Sequence, residues 1–308
     1  LEAMQRWNEE GRLPARNGFE RPLPTPDRVS FGIARRIGAG GGSPTGIQAA
    51  TDRGTAWATS IEVEEAWRLR LRLDDVALPE GTRLWVTGSG GEQVAFGLEL
   101  RDSEGNLWTP SVAGPSLTLE VLLPPGAELE GSGFGLQEVL QLFPPEQMVS
   151  PKVIDPSCLV DAQCVDESDL PVIGPVRSAI AQLQFGGFVC SGSLLNNTDE
   201  DQLFAPYLLT ANHCFDSQIQ ASSLEVFFDY FTDECEDPFG DNSDWPALGT
   251  LPRVNGSTLL ATGASSDYTL VLLNDLPPNR VFLGWTAVPV TDGQIIHRVS
   301  HPAPLFDI

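Results

Sequence analysis

Two short segments of the sequence contain residues whose types suit nucleophilic catalysis. His213 lies in the string LTANHC (209–214), and Asp267 lies in SSDYTLVLL (265–273), where one acidic residue precedes an apolar strand. A histidine acts as a general base only when its ring is held in position, and an aspartate beside it fixes the tautomer of that ring. Taken alone, His213 is typical of a core histidine beside a structural cysteine, and Asp267 is typical of a turn cap.

The nucleophile that such a pair would serve is not evident. A serine framed by glycines, whose backbone amides would stabilise an oxyanion, does not follow Asp267. The one serine after that position is Ser300, in RVSHPAP, and it has no glycine neighbours. Three further serines lie near glycines or a cysteine upstream, and we interpret them as structural: Ser89, Ser191 and Ser193.

The remaining histidines give no sign of a metal centre. His297 and His301 complete the set of three, and none has the HExxH spacing of a zinc site. We expect structural roles for both, and we expect neither a metal nor a cofactor.

All five cysteines lie in the second half of the chain. Clustered cysteines without CxxC pairs predict disulfides formed in an oxidising compartment, so we expect a secreted protein, extracellular or periplasmic. Because the number is odd, one cysteine needs a partner elsewhere or stays free. They are Cys158, Cys164, Cys190, Cys214 and Cys235.

The string LTANHC, preceded by CSGSLLNNT (190–198), resembles the histidine loop of chymotrypsin-like serine proteases, in particular the bacterial lysyl endopeptidase branch. The resemblance covers roughly residues 155–308. It implies acyl-enzyme cleavage of peptide bonds, with His213 as the base, Asp267 as its orienting acid and a serine later in the chain. The family's order of residues then places that serine beyond Ile308, so we expect the 308 residues alone to be an inactive fragment.

The same resemblance implies a disulfide pattern. Cys190 would bond Cys214 and so pin the loop of the histidine, and Cys164 would bond Cys235. Cys158 would bond a cysteine beyond the end of this chain. The odd cysteine and the missing serine would then have one cause.

The elements that position these residues are predicted to be strands. Trp67, Leu69, Leu71 and Leu73 alternate with arginines, which predicts a strand with one buried and one solvated face. Apolar runs separated by Gly, Pro, Asp and Asn continue to about residue 143 and favour a small β-sandwich. We therefore predict an all-β protein: a flexible leader (1–50), a β-sandwich pro-region (51–145), a linker (146–157) and a partial double β-barrel protease domain (158–308).

The linker contains the only lysine of the chain, Lys152. A lysine-selective enzyme would process itself there, just before the family domain. The alternative is a genome that writes Arg for Lys, and the two interpretations stay open.

The net charge of the chain limits the molecules that it is expected to bind. The formal charge of −24, with 21 acidic and 5 basic residues in 151–308, disfavours nucleic acid and anionic membrane surfaces. Peptide or protein substrates and a monomeric state are expected. The rival hypothesis is that the protein is a non-catalytic, protease-like binding module. A third hypothesis is that the sandwich binds sugars, which requires a row of exposed tryptophans.

Overall fold

The computed structural model describes residues 2–12, 14–30, 46–144, 160–202, 204–235 and 246–301, with backbone only at 23–30, 137 and 200. The chain is all-β and divides into two compact units. The sandwich unit is Gly18–Phe143, and the barrel unit is Leu1–Asn17 together with Pro144–Ile308. Among the described residues, no helix has the length and apolar character needed to cross a membrane.

In chain order the strands are β1 (Ala15–Arg16), β2 (Gly18–Ser30), β3 (Ile47–Thr51), β4 (Gly54–Glu62), β5 (Arg68–Ala77), β6 (Arg83–Gly88), β7 (Gln93–Phe96), β8 (Leu107–Trp108), β9 (Val112–Ala113), β10 (Ser116–Leu123), β11 (Gly133–Leu142), β12 (Ile180–Phe185), β13 (Phe188–Leu195), β14 (Tyr207–Thr210), β15 (Glu225–Phe228), β16 (Arg253–Asn255), β17 (Ser257–Gly263) and β18 (Tyr268–Leu273). The helices are α1 (Glu2–Glu9), α2 (Ile173–Ala179) and α3 (Gln218–Ser222).

Two five-stranded antiparallel sheets build the sandwich unit. One has the order β3-β4-β10-β6-β7, and the other has β2-β11-β5-β8 with β9 also paired to β5. Alternate residues of these strands point into one shared core, as the period-2 pattern predicts. Trp57 is buried in that core, and Trp67, Trp85 and Trp108 are each partly covered. The row of exposed tryptophans that sugar binding requires is therefore not found in the described residues of this unit.

The arginine face of β5 differs from the prediction. Leu69, Leu71 and Leu73 are fully buried as expected, but the Arg68 and Arg70 side chains are buried as well. Arg68 Nη2 donates to Glu92 Oε1 at 2.9 Å, and Arg70 Nε donates to the carbonyl of Thr109 at 2.8 Å. The solvated face was a wrong prediction because the segment 109–113 covers it and supplies acceptors for the guanidinium groups.

One eight-stranded antiparallel sheet curls through the barrel unit in the order β16-β15-β12-β13-β14-β18-β17, with β1 added to β13. Its core contains Leu183, Leu194, Leu208, Val226 and Val271, all fully buried. These residues come from five strands of the sheet, so the core fixes the strand ends where the histidine and the aspartate lie.

A two-glycine turn joins β12 to β13. Gly186 and Gly187 both have positive φ values, 50° and 76°. A two-residue hairpin of this type needs positive φ at both central positions, which only glycine adopts without strain.

The leader over 1–50 was expected to lack regular structure, and the described residues do not fit that expectation. Residues 2–9 are helical, 15–16 form a strand of the barrel unit, and 18–30 form a strand of the sandwich unit. Both strands are fixed by pairing with strands more than a hundred residues away, a stabilisation that local sequence does not display. The sandwich begins earlier than residue 51, and the predicted linker 146–157 lies outside the described residues.

Candidate active site

His213 lies in a turn directly after β14. The strand before it pairs with β13 on one side and with β18 on the other. A disulfide from Cys214 to Cys190 of β13, with Cα atoms 6.2 Å apart, fastens the turn to the sheet. The imidazole itself stays 41% exposed, so it is held from one side and open to a reactant on the other.

Asp267 lies at the turn between β17 and β18, with a φ of 48°. This left-handed conformation is one that Asp adopts more readily than most residues. One carboxylate oxygen, Oδ1, accepts the backbone amide of His213 at 2.9 Å. The other, Oδ2, lies 2.7 Å from His213 Nδ1. Asp267 therefore positions both the backbone and the ring of the histidine.

This arrangement selects one tautomer of the ring. A carboxylate is an acceptor, so Nδ1 carries the proton in the His213–Asp267 contact and Nε2 remains the basic nitrogen. Hydrogen bonds from the His213 amide, and then from its ring, hold the pKa of Asp267 below its usual range. The acid thus stays ionised and can stabilise a positive charge that forms on the imidazole.

Side chains around the pair fix the two turns against each other. Asn212 Nδ2 donates to Thr262 Oγ1 at 2.7 Å, and Thr262 Oγ1 lies 2.8 Å from Thr269 Oγ1. The buried Thr269 hydroxyl in turn donates to the carbonyl of Phe215 at 2.7 Å. Sequence reasoning did not find these residues, because threonines on a strand give no signal before their partners are known.

A metal does not fit here. Ligand atoms of Cys190, His213 and Cys214 lie within 4.8 Å of one another. Both sulfurs are joined in the disulfide, so neither is a thiolate that could bind an ion.

Ser191, one of the serines named from the sequence, is engaged by another residue. Ser191 Oγ is engaged with the backbone of His301, accepting its amide at 2.7 Å and donating to its carbonyl at 3.0 Å. Ser89 belongs to the sandwich unit. In the parts of the chain that the structure describes, no serine hydroxyl hydrogen-bonds the His213 ring.

The last described residues run along the barrel unit and line a cavity of about 560 Å³. Ser193, His297 and Ser300 lie on its wall. His301 lies beyond it, stacked on Tyr230 with its Nε2 atom 3.1 Å from the Tyr230 carbonyl. Burial of the imidazole lowers the pKa of His301 to about 4, so this ring is neutral near pH 7.

The cysteines form the two pairs that the family resemblance implies, Cys164 with Cys235 and Cys190 with Cys214. Cys158 and Lys152 lie outside the described residues, so their predicted roles remain predictions.

Comparison with known proteins finds a matching family for a segment of each unit. The family described as the lysyl endopeptidase C-terminal domain matches residues 155–304, and the lysyl endopeptidase N-terminal domain family matches 24–139. A lysyl endopeptidase of Pseudomonas aeruginosa is 30% identical over 250 residues, which cover 76% of this chain and 52% of that protein. The chain thus spans about half the length of this relative.

Two solved structures show only weak similarity. A GH26-CBM35 beta-(1,4)-mannanase of Podospora anserina has 13% identity and a TM-score of 0.19, covering 53% of this chain and 35% of its own. A cycloisomaltooligosaccharide glucanotransferase of Paenibacillus sp. has 12% identity and a TM-score of 0.18, covering 80% of this chain and 44% of its own. Scores this low support no conclusion about the fold or the function.

Proposed function

Since this chain belongs to the lysyl endopeptidase family, we propose that it is part of a secreted serine endopeptidase that cleaves peptide bonds after lysine. The observation that carries the proposal is the two-oxygen contact of Asp267 with the amide and the ring of His213. A structural histidine does not need a carboxylate that fixes its tautomer while 41% of its side chain stays exposed.

In the proposed reaction, His213 Nε2 takes the proton of a serine hydroxyl as the oxygen attacks the substrate carbonyl. The resulting imidazolium is stabilised by Asp267, and it then gives its proton to the leaving amine. A water molecule, deprotonated by the same imidazole, then attacks the acyl-enzyme and releases the acid product and the free serine. The family resemblance provides no matched position for the serine among these 308 residues, so we assign the nucleophile to no residue here.

The charge of the barrel region supports a cationic substrate. Residues 151–308 contain 21 acidic and 5 basic residues, and a field of that sign attracts lysine-bearing peptides.

Self-processing after Lys152 is part of the same proposal. It is the single lysine of the sequence, and it lies between the two family matches. N-terminal sequencing of the secreted protein tests it: a mature start at Val153 is expected, and a start far from there would reject it.

The test of the activity uses the complete reading frame that contains this chain. We expect hydrolysis of a lysyl peptide, a much slower reaction with the matched arginyl peptide, and near-complete loss in His213→Ala. His297→Ala, which changes an exposed histidine outside the pair, is the matched control. A fluorophosphonate should label one serine of the active protein. Absence of both labelling and hydrolysis in a folded protein would favour the binding-module alternative.

A further inference from the structure

The contact between His213 and Asp267 is exposed, so burial alone does not hold it in place. The two side chains are 41% and 53% exposed. An exposed ion pair adds little to stability, whereas a base works only when its geometry is closely fixed. Asp267 also has a positive φ of 48°, a backbone conformation that needs support from its surroundings in any residue other than glycine. Neighbouring groups must therefore position the two turns.

A chain of hydrogen bonds connects the histidine turn to the β17–β18 hairpin. Asn212 Nδ2 donates to Thr262 Oγ1 at 2.7 Å. Thr262 Oγ1 lies 2.8 Å from Thr269 Oγ1, and the Thr269 hydroxyl donates to the Phe215 carbonyl at 2.7 Å. The two ends of the chain, Asn212 and Phe215, lie on either side of the base in the sequence. The histidine turn is therefore tied to the hairpin both before and after the imidazole.

The middle of this chain lies at the base of the turn that contains Asp267. Thr262 and Thr269 are opposite each other in the register of β17 and β18, and Asp267 lies between these strands in the sequence. The backbone N–H of Asn212 donates to the Asp267 carboxylate as well. Asn212 therefore contacts this hairpin twice, through its backbone at the carboxylate and through its side chain at Thr262.

The hydrogen bonds of the chain can run in only one direction. The Phe215 carbonyl only accepts, so the Thr269 proton is used there and Thr269 Oγ1 must accept from Thr262. The Thr262 proton is therefore directed into the hairpin, where the Tyr268 carbonyl at 3.2 Å is a second acceptor. Towards Asn212, the Thr262 hydroxyl can then only accept. The side chain at position 212 must be a donor, which an amide satisfies and a carboxylate of the same size does not.

We propose that Asn212 is a positioning residue, whose side-chain amide orients the Asp267–His213 pair through the directed chain of hydrogen bonds that ends at Phe215. This inference rests on the proposed peptidase function wherever it concerns the rate of the reaction. Asn212 acts through Asp267 and takes no part in the transfer of the proton.

Kinetics of the complete reading frame with a lysyl peptide test this role. Asn212→Asp keeps the size of the side chain, but it replaces the donor by an acceptor and adds a negative charge beside Asp267. We expect kcat to fall about 10²-fold with little change in KM, because a shift of the pair by about 1 Å has an effect of that size. Asn212→Ala only removes one hydrogen bond, and kcat should fall about tenfold. A role in packing alone predicts the reverse order, since alanine is the larger change in shape.

Thr262 allows the same test from the other side of the bond. Thr262→Val removes the hydroxyl and should lower kcat about as much as Asn212→Ala does. Thr262→Ser keeps the hydroxyl and should restore most of the rate.

Two controls match these variants in chemistry. Asn197→Asp makes the same change at an amide that donates to the Gln202 carbonyl at 2.9 Å, outside the pair. Ser257→Ala removes a buried hydroxyl of strand β17 that donates to the Ala221 carbonyl at 2.8 Å. We expect the first control to leave kcat unchanged, and the second to lower thermal stability without lowering kcat.

Two kinetic results would overturn the proposal. One is a loss in kcat of less than about tenfold for Asn212→Asp. The other is a larger loss for Asn212→Ala than for Asn212→Asp, because the donor would then not be what matters.

An NMR experiment on the 308-residue chain separates this proposal from the proposed function. The ring nitrogens of the three histidines are labelled with ¹⁵N, and the signals that are lost in His213→Ala identify that ring. Above about pH 8, the shifts of Nδ1 and Nε2 show which nitrogen carries the proton. We expect the proton on Nδ1 in the unaltered chain and in Asn197→Asp, and a large share of it on Nε2 in Asn212→Asp.

Equal ring shifts in Asn212→Asp and in the unaltered chain would overturn the proposal even for an active enzyme. A proton on Nε2 in the unaltered chain would overturn it too. If the ring shifts differ as expected but the complete protein hydrolyses nothing, the peptidase function fails and the positioning role remains.

Discussion

Asp267 holds His213 at two points, with one carboxylate oxygen on the backbone amide and the other on the ring nitrogen. The contact joins two turns that are 54 residues apart in sequence. Position and tautomer of the imidazole are therefore set by one side chain, and substitutions at this residue can separate the two effects.

Asp267→Asn should keep the hydrogen bond to the His213 backbone but no longer favour the ring tautomer with its proton on Nδ1. The amide oxygen can still accept from the His213 backbone, but the amide nitrogen donates to Nδ1 and so favours a proton on Nε2. We expect kcat of the complete protein to fall on the order of 10⁴-fold with little change in thermal stability. Asp275→Asn, at an exposed acid after β18, is the control. A loss of less than tenfold for Asp267→Asn would indicate that the pair is not catalytic.

The buried ring of His301 should make stability depend on pH. Its pKa is about 4 in the fold and near 6.5 in an unfolded chain, so the unfolded state binds more protons between these values. The free energy of unfolding should therefore decrease as pH falls from 6.5 towards 4. His301→Gln removes the titrating group, and its urea midpoints between pH 7.5 and 4.5 should fall less steeply. Parallel curves for the two proteins would contradict the assignment.

Each disulfide should stabilise the barrel unit according to the length of the loop it closes. Cys190 and Cys214 are 24 residues apart, and Cys164 and Cys235 are 71 apart. Replacing the first pair by alanines should cost about 3 kcal/mol and replacing the second about 4 kcal/mol. Hydrogen exchange of the core strand 225–228 measures both losses. A larger loss from the shorter loop would mean that burial of the cystine outweighs chain entropy.

A side chain at Gly192 on β13 should crowd the core of the barrel unit. A Cβ atom there would lie 2.6 Å from Leu208 Cδ2 and 3.1 Å from Leu183 Cδ1, both core atoms. We expect Gly192→Ala to lower the free energy of unfolding by about 1–3 kcal/mol. Gly284→Ala, where no atom lies within 4 Å of the new Cβ, should change it little. Equal stabilities for the two variants would show that the core adjusts around residue 192.

The sequence predicted the pairing of His213 with Asp267 better than it predicted the organisation of the chain. His213 and Asp267 were singled out because each lies in a short string with a recognisable neighbourhood, and the strands beside them follow from short apolar runs. The burial of Arg68 was missed because its ion-pair partner, Glu92, lies on a distant segment. Strand β1 was missed for the same reason. A strand of two residues, Ala15–Arg16, has no recognisable sequence pattern and is defined only by its pairing with β13.

The barrel unit is built from two separate stretches of the chain, one before and one after the sandwich unit, and this affects the order of folding during synthesis. Ala15 and Arg16 leave the ribosome before the entire sandwich unit, yet their pairing partners on β13 are translated after it. Domains generally fold as units during synthesis. The sandwich unit can therefore be folded before β13, the pairing partner of these two residues, has been made. Their pairing closes a long loop that contains the whole sandwich unit, and it can form only after β13 has been translated.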